Sequence, residues 1–528
     1  MSSHTSALLL VSLPLFWTIL SWFTGRTQNK SQKLRVERIA IFGSVSLFLF
    51  SLLIGFTFAA DLAPGTMLVT LTPLKALITL TVVAIGVILM RFSRNYLVGE
   101  ACYPAFLRWM QLTLSAVVVT ILANHFIVFW LGWLSVSLSL HHLLLLYPDR
   151  PRAIIAAHKK FLLARTSELI MAGAFTLLYL AFDTLYIDEL LGKVDALSLL
   201  THTQYTYFIY ATCLLAVAAL LKCAQLPAHG WLINIVESAT PVSALLHAGV
   251  INLGGYLLLT FAPLIAAAPQ AQWIILIAAG LSVFFSSLIM TTRVTIKVRL
   301  AWSTSSQMGL MLIECAMGLY ALAVIHLVAH SFYKAYAFLN SGSAVYEQLE
   351  HDISAHRSPT FADWLNAAFI TMLVILATYT LSAYQGPLSP WILVSLALTS
   401  FLAMRTAHSD QTQLYIFVGI AVALITSYSL VKGLVQSHIV AGLPSSILPF
   451  SAMDLWISTL FIGLFAIHCL MQSFANHRVV KKFKQYLFAG FYLDEWFTKV
   501  TLKVYPVKLR SARPHTSRSA TVSKIGSM

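Results

Sequence analysis

Three titratable side chains recur every four residues within one apolar segment, 323–344. They are His326, His330 and Lys334. Residues four apart in an α-helix differ by about 40° in direction, so these side chains form one polar stripe roughly 12 Å long. Imidazole changes charge near neutral pH and a buried lysine can act as a base, so the row suits proton transfer. The alternative is hydrogen bonding between helices without proton movement.

A second pair of basic side chains flanks a sequence that breaks helices. Lys222 precedes Pro227 and Gly230, and His247 lies near the start of the next apolar segment. Proline removes a backbone donor and clashes with the preceding turn, so a helix breaks there. Unwound backbone within a membrane lines protein or a hydrated cavity, which indicates a transport site. The alternative for Lys222 alone is a side chain that extends to the membrane surface.

Acidic side chains are scarcer within the apolar segments. Glu168 follows Arg165 by three residues, a spacing that allows an ion pair within one helix, and Lys159 lies earlier in the same segment. We include these three residues in the predicted proton relay. Glu314 stands alone in its segment and Glu237 lies near the broken region. For the acids, paired structural roles are the alternative to membership of the relay.

These side chains must be positioned by membrane-spanning helices. The chain has 528 residues, of which 59% are apolar and 10% are charged, whereas soluble domains carry about 25% charged residues. Apolar runs of about 20 residues recur along it, and each could cross a bilayer core of about 30 Å. Lipid supplies no hydrogen-bond partners, and the runs lack the alternation of barrel strands. The sequence therefore predicts an all-α polytopic membrane protein.

The predicted spans number about 15. They are residues 6–24, 37–60, 67–90, 104–124, 125–147, 153–182, 205–225, 241–263, 270–291, 299–318, 319–341, 361–384, 388–404, 411–431 and 452–474. The first is interpreted as a membrane helix and not a signal peptide, because basic residues follow it. Most of the 34 Lys and Arg residues fall in alternate loops and the tail. That distribution predicts a periplasmic N-terminus and a cytoplasmic C-terminus, and it attributes the net charge of +15 to topology and not to nucleic acid binding.

Other polar features are assigned structural roles. The five cysteines lie apart without metal-ligand spacing, and the pair His141–His142 lacks companion ligands, so neither a metal nor a cofactor is predicted. The tail after about residue 475 combines basic and aromatic residues. This composition favours an amphipathic segment on anionic membrane lipids, and the alternative is a docking surface for a cytoplasmic subunit.

Several segments resemble the antiporter-like membrane subunits of respiratory complex I and of multisubunit cation/proton antiporters. The resemblance covers about 90–345, with a further short match near 491, and it is specific because the motifs keep their order and spacing. The segments are RNYLVGE (94–100), KFLLARTSE (160–168), KCAQLPAHGWL (222–232), TPVSALLHAG (240–249), IKVRLAWSTSSQMG (296–309), IHLVAHSFYKAYAFLNSGS (325–343) and FYLDEW (491–496).

The resemblance implies two inverted five-helix bundles, each with a broken helix and a half-channel on a central hydrophilic axis. Lys222 then matches the central lysine of the first bundle, and His247 lies on the following helix. His326, His330 and Lys334 match the bridge into the second bundle. The implied divisions are N-terminal helices (1–90), a first bundle (91–265), a second, degenerate bundle (266–435), a last membrane helix (436–474) and a basic amphipathic tail (475–528).

Two departures from the family pattern favour one divergent branch. Leu134 follows Leu131-Gly132-Trp133 where the family has a glutamate, and spans 361–404 carry no intramembrane Lys or Asp. The membrane subunits of the DAB inorganic-carbon complexes fit this pattern better. That resemblance implies a cation-conducting subunit of a bacterial inner membrane that is not itself an enzyme. Its proton or Na+ flow would energise CO2 hydration to bicarbonate by a large cytoplasmic zinc-binding partner.

Two other functions stay open on the sequence. One is a proton-pumping subunit of complex I or of a cation/proton antiporter. The other is a scaffold that anchors its partner without conducting ions, which the missing glutamate at Leu134 favours.

Overall fold

The protein, a computed structural model, is described over residues 3–24, 38–39, 41–47, 49–50, 68–147, 150–343, 361–382, 386–406, 411–444 and 447–506. Helices dominate these ranges. They are α1 (Ser3–Thr24), α2 (Pro73–Tyr96), α3 (Tyr103–Leu122), α4 (Phe126–Leu144), α5 (Pro151–Phe182), α6 (Ile187–Gly192), α7 (His202–Lys222), α8 (Gly230–Asn234), α9 (Thr240–Ala248), α10 (Leu253–Thr260), α11 (Ala262–Ala266), α12 (Pro269–Met290), α13 (Ile296–Ala316), α14 (Tyr320–Leu339), α15 (Phe361–Ser382), α16 (Ser389–Thr406), α17 (Gln411–His438), α18 (Ala452–Ser473), α19 (Arg478–Phe488) and α20 (Leu493–Val504).

Ten helical segments among the described residues are long and apolar enough to cross a membrane. The prediction of an all-α polytopic membrane protein is therefore confirmed. The second predicted span, 37–60, lies mostly outside the described residues, and each of the others overlaps a helix. Helix α13 is not among the ten, because Lys297, Arg299 and a run of hydroxyl side chains lower its hydropathy. The division into two inverted bundles stays a prediction.

Helix α1 is packed into the bundle and does not stand apart from it. Trp17 is 1% exposed and donates to the hydroxyl of Ser44. The hydroxyl groups of Thr18 and Ser115 lie 2.8 Å apart, and Ser115 also donates to the carbonyl of Pro14. These contacts agree with a first membrane helix at this position.

The predicted helix break at Pro227 is present. Helix α7 begins at a capping box formed by Thr201 and Gln204 and ends at Lys222, and the chain resumes helical geometry at Gly230 in α8. Within the break, the backbone N–H of Leu226 donates to Ser282 of helix α12 at 2.9 Å. A neighbouring side chain therefore satisfies a backbone group that the break exposes.

A second break divides a segment that was predicted as one continuous span, 241–263. Helix α9 ends at Ala248 and α10 starts at Leu253, with a 3₁₀ turn at Val250–Asn252 between them. A Cβ at the junction residue Gly249 would lie 2.9 Å from a backbone oxygen, so the break requires glycine there. The apolar composition concealed this interruption.

The two tail helices pack against the bundle. Phe491, between α19 and α20, contacts Phe285 of α12 with ring centroids 5.6 Å apart. Arg293 donates to the carbonyl of Leu487 at 3.5 Å and lies over the ring of Phe488. Residues 507–528, which include the basic tip of the predicted tail, lie outside the described residues.

Candidate functional site

Helix α14 presents the predicted stripe to neighbouring helices. The rings of His326 and His330 have centroids 6.1 Å apart. Nδ1 of His326 lies 3.0 Å from both carboxylate oxygens of Glu314 on α13. Glu314 is therefore paired, which is the structural role that the sequence left open for it. Its partner lies on the adjacent helix, where spacing within α13 could not indicate it.

Lys334 forms the other end of the stripe. It is 0% exposed, and its ammonium donates to the hydroxyl of Ser303 at 2.9 Å and to the carbonyl of Leu300 at 3.1 Å. Both acceptors lie on α13. The hydroxyl-rich patch noted in the sequence thus contacts the predicted relay directly.

His247 lies beside the same patch. Its Nδ1 is 3.1 Å from the hydroxyl of Thr304, and its ring stacks on Phe338 at 4.3 Å. Nε2 of His247 and both ring nitrogens of His330 are buried without a hydrogen-bond partner among the described residues. Buried imidazole nitrogens can accept or donate a proton, so the arrangement is suited to proton transfer. We call Glu314, His326, His330, Lys334 and His247 the histidine row.

Lys222 belongs to a second group of charges. It is 9% exposed, and its ammonium lies 4.3 Å from the centroid of the Trp133 ring. The side chain therefore lies inside the bundle, contrary to the alternative in which it extends to the membrane surface. Lys160 shares a small cavity with Lys222, and its ammonium donates to the carbonyl of Ser137 at 2.6 Å.

The predicted ion pair within α5 is confirmed. The guanidinium of Arg165 lies 2.9 Å from the carboxylate of Glu168, and it also donates to the hydroxyl of Ser137 on α4. Ser137 is one turn beyond Leu134, where the family glutamate is missing. The negative charge that acts on Lys222 is that of Glu168 on α5. We call Lys160, Arg165, Glu168 and Lys222 the lysine cluster.

Lys159 lies apart from the ion pair with which it was grouped in the prediction. Its ammonium is 2.8 Å from each carboxylate oxygen of Asp494 in the tail helix α20. Lys160 and Asp494 were not among the site residues predicted from the sequence. The two adjacent lysines at the start of a long span could have indicated Lys160. Asp494 lies far from Lys159 in the sequence, and no local pattern connects the two residues.

The second break lies between the histidine row and the lysine cluster. Asn252 in this break donates to the hydroxyl of Ser331, the neighbour of His330, at 2.7 Å. Val250 and Ile251 line the cavity that contains Lys222. Within the part of the chain described, no hydrogen bond joins the two groups directly, so the predicted polar axis consists of two groups separated by the 3₁₀ turn at Val250–Asn252.

Other predicted structural residues lie in packed surroundings. His142 stacks on Trp109 at 4.0 Å, and His141 packs near Phe161. The five cysteines are free, and Cys223 and Cys315 are buried. No group of three or more potential metal ligands of the His, Cys, Asp or Glu type occurs among the described residues.

Comparisons with known proteins agree on the class. Residues 123–380 match the family described as NADH:quinone oxidoreductase/Mrp antiporter, TM. The chain is 44% identical to the probable inorganic carbon transporter subunit DabB of Hydrogenovibrio crunogenus, over 80% of each chain. It is 30% identical to the probable inorganic carbon transporter subunit DabB2 of Halothiobacillus neapolitanus, over 97% of this chain and 96% of that relative.

Solved structures show the same fold. The Mrp complex from Dietzia sp. DQ12-45-1b superposes with a TM-score of 0.60 at 19% identity, covering 93% of this chain and 59% of that one. The archaeal membrane-bound sulfane sulfur reductase gives 0.55 at 18% identity, covering 87% and 74%. At these identities the likeness concerns the fold alone.

The helical fold and the family match define a multi-pass membrane protein of the antiporter-like class found in complex I and Mrp assemblies. Its similarity to the two relatives extends over most of its length. The chain therefore belongs to the DabB family of inorganic carbon transporter subunits. It is a transporter subunit and not an enzyme, as the sequence predicted.

Proposed function

We propose that this chain conducts protons and thereby energises inorganic-carbon uptake by a cytoplasmic partner. The observation that carries the proposal is the histidine row, in which the buried Glu314, His330 and Lys334 and the half-buried His326 lie on two adjacent helices. Ionisable groups inside a membrane are costly and mark ion pathways. The names of the relatives as inorganic carbon transporter subunits support the choice of cargo.

The lysine cluster is the second half of the proposed route. Lys222 and Glu168 lie in it close to the first break, and the second break at Val250–Asn252 separates it from the histidine row. The side-chain amide of Asn252 lies in this break, and water can bridge polar groups across a short gap. Protons, or Na+ as the alternative ion, would cross there between the two groups.

The proposed partner is a large, DabA-like cytoplasmic subunit that contains zinc. In this proposal the hydration of CO2 to bicarbonate occurs on the partner, and inward ion movement through this chain makes that reaction directional. The relatives are named as subunits, which supports an assembly of more than one chain.

The charges at the two ends of the bundle support the proposed orientation in the bacterial inner membrane. At one end Arg150 donates to the carbonyl of Glu237 and Arg293 reaches the tail at Leu487, so basic loops and the tail lie together. The opposite end carries Asp188 and Glu189 at the start of α6. The positive-inside tendency favours a cytoplasmic basic end, with the C-terminal tail on that side and the N-terminus in the periplasm.

Substitution of the histidine row tests the function. Lys334→Ala and His330→Ala are expressed with the partner in a bacterial host whose growth requires added CO2, and growth rescue is measured in ordinary air. Both variants are expected to abolish rescue without lowering the amount of complex, because each interrupts the row. Wild-type rescue is expected to disappear with an uncoupler. Lys193→Ala is the matched control, since Lys193 forms an exposed pair with Glu189 and such pairs contribute little.

Three outcomes would redirect the proposal. Unimpaired rescue by Lys334→Ala contradicts the proton row. Wild-type rescue that resists uncouplers favours the scaffold. Purification of the native complex with quinone-reactive and iron–sulfur subunits, in place of a zinc protein, favours the complex I function.

A further inference from the structure

Asp494 of the tail reaches the interior of the bundle from a partly exposed position. Each of its carboxylate oxygens lies 2.8 Å from the ammonium of Lys159, and the amide of Asn234 donates to Oδ2 at 3.0 Å. The Lys159 side chain is 0% exposed, whereas that of Asp494 is 32% exposed. One carboxylate therefore connects a partly hydrated surface to a fully enclosed ammonium.

The same carboxylate lies against the broken helix. Helix α8 starts at Gly230, and a Cβ added there would overlap the carboxylate of Asp494. Gly230 therefore has a second role, because it makes room for the tail as well as ending the break. His158, the neighbour of Lys159, stacks on Tyr505 at 4.8 Å, so contacts near both ends of α20 hold it against α5.

Helix α5 continues this connection to the lysine cluster. Lys160 follows Lys159 directly and donates to the carbonyl of Ser137. The hydroxyl of the same serine accepts from Arg165, the partner of Glu168. A displacement at Asp494 therefore reaches the surroundings of Lys222 through a single helix.

Electrostatics make the contact sensitive to small movements. Removing one partner of a buried ion pair leaves an uncompensated charge, which is strongly unfavourable. If the tail leaves Gly230, Lys159 must therefore become hydrated. The outer side of this segment carries Tyr492 and Trp496, which are 57% and 70% exposed and could meet a second protein.

We propose that Asp494 is a positioning residue that couples the tail helix α20 to the first half-channel through Lys159 and Asn234. A partner that binds the exposed aromatic side of the tail would move the tail and the half-channel together. The inference rests on the proposed function, because it describes how ion movement reaches the cytoplasmic partner.

The test removes the charge of Asp494 while keeping its shape. Asp494→Asn is compared with Glu495→Gln, a matched change at the exposed neighbouring residue. Purified complexes are treated with an amine-reactive reagent, and modification of Lys159 is measured by mass spectrometry beside carbon-dependent growth rescue. Asp494→Asn is expected to raise Lys159 modification about tenfold and to lower rescue about tenfold, whereas Glu495→Gln matches wild type.

Charge exchange distinguishes positioning from packing. Lys159→Asp combined with Asp494→Lys is expected to recover rescue, because it restores the ion pair in reverse. Lys159→Met combined with Asp494→Leu fills the space without charge and is expected to leave rescue low. Recovery by this uncharged pair overturns the inference, as does an Asp494→Asn variant that matches Glu495→Gln in both measurements. If the exchanged pair does not accumulate, the two single variants decide alone.

The labelling result does not depend on carbon transport. Failure of the proposed function would therefore appear as full rescue by Lys334→Ala, while the labelling difference at Lys159 persists. Failure of the inference would appear as unchanged labelling, while Lys334→Ala still abolishes rescue.

Discussion

Two regions of the molecule are built from similar apolar helices but use their charged residues differently. In residues 126–339, the buried carboxylate of Glu314 faces the imidazole of His326 on the next helix. In residues 361–473, the buried carboxylate of Asp454 accepts instead from the backbone N–H groups of Leu388, Ser389 and Phe450. The first carboxylate has a titratable partner, whereas the second fixes a loop.

The two regions also differ in how fully neighbouring helices enclose them. In the most apolar stretch of Thr240–Thr260, 94% of the residues are buried. The corresponding share is 11% in Ala362–Thr380 and 22% in Ala452–Ser473. A titratable side chain at membrane depth needs surrounding protein to keep it from lipid. We therefore expect the proposed relay residues to lie where neighbouring helices surround them. Substitutions in the two regions should then differ in their effects.

The largest effect is expected from Glu168, whose charge acts on Lys222. Glu168→Gln should lower proton flux into proteoliposomes about tenfold, because it removes the carboxylate that pairs with Arg165, and a hydrogen bond to a charged group contributes roughly 1.5–3 kcal/mol. Adding Leu134→Glu to this variant should restore part of the flux, since the carboxylate would return from α4. Equal proton flux in wild type and Glu168→Gln would show that the Glu168 carboxylate does not contribute to conduction.

The second-largest effect is expected from close packing around Gly254 in the enclosed region. A Cβ at Gly254 would overlap the sulfur of Cys223 and lie 2.8 Å from the carbonyl oxygen of Ala219. Gly254→Ala should therefore lower the free energy of unfolding by about 1–3 kcal/mol. Thermal unfolding in detergent measures this effect, and an unchanged melting temperature would mean that α7 and α10 can separate without cost.

A smaller loss of stability is expected in the second region. Asp454→Asn replaces an oxygen that accepts backbone N–H groups and should cost about 1–2 kcal/mol. Proton flux per folded molecule should stay at the wild-type value, because this residue lies outside both groups of relay charges. A large loss of flux at equal protein amount would show that the second region takes part in conduction.

The smallest effect is expected at Gly433 in α17. Among the described residues, no atom outside the backbone of its own helix turn and its chain neighbours lies within 4 Å of a Cβ added there. Gly433→Ala should leave stability unchanged or raise it by up to about 1 kcal/mol, because alanine favours the helix. It adds the same methyl group as Gly254→Ala. A comparable loss of melting temperature in both variants would mean that the two regions do not differ in how closely they are packed.

Local features were predictable from the sequence. Apolar runs gave the spans, four-residue spacing gave the stripe on α14, and Pro227 marked the first break. The pair Arg165–Glu168 was also predictable, because its partners are one turn apart on the same helix.

Contacts between distant segments were not predictable. Glu314 meets His326 across a helix boundary, and Lys159 meets Asp494 only because the tail folds back onto α5. The second break was missed because Gly249 is followed by apolar residues that continue the pattern of a span. Asn252 beside several glycines was the available signal, since an amide there needs partners within the bundle.

The pairing of Lys159 with Asp494 has a consequence for synthesis. The two residues are 335 positions apart, and a bacterial ribosome adds about 5–20 residues per second, so the aspartate emerges roughly 20–70 s after the lysine. During this interval the ammonium has to be stabilised by water, because its carboxylate does not yet exist. The contact between the tail and the first break therefore forms only when the chain is nearly finished, and a prematurely ended product would leave the ammonium of Lys159 without its carboxylate.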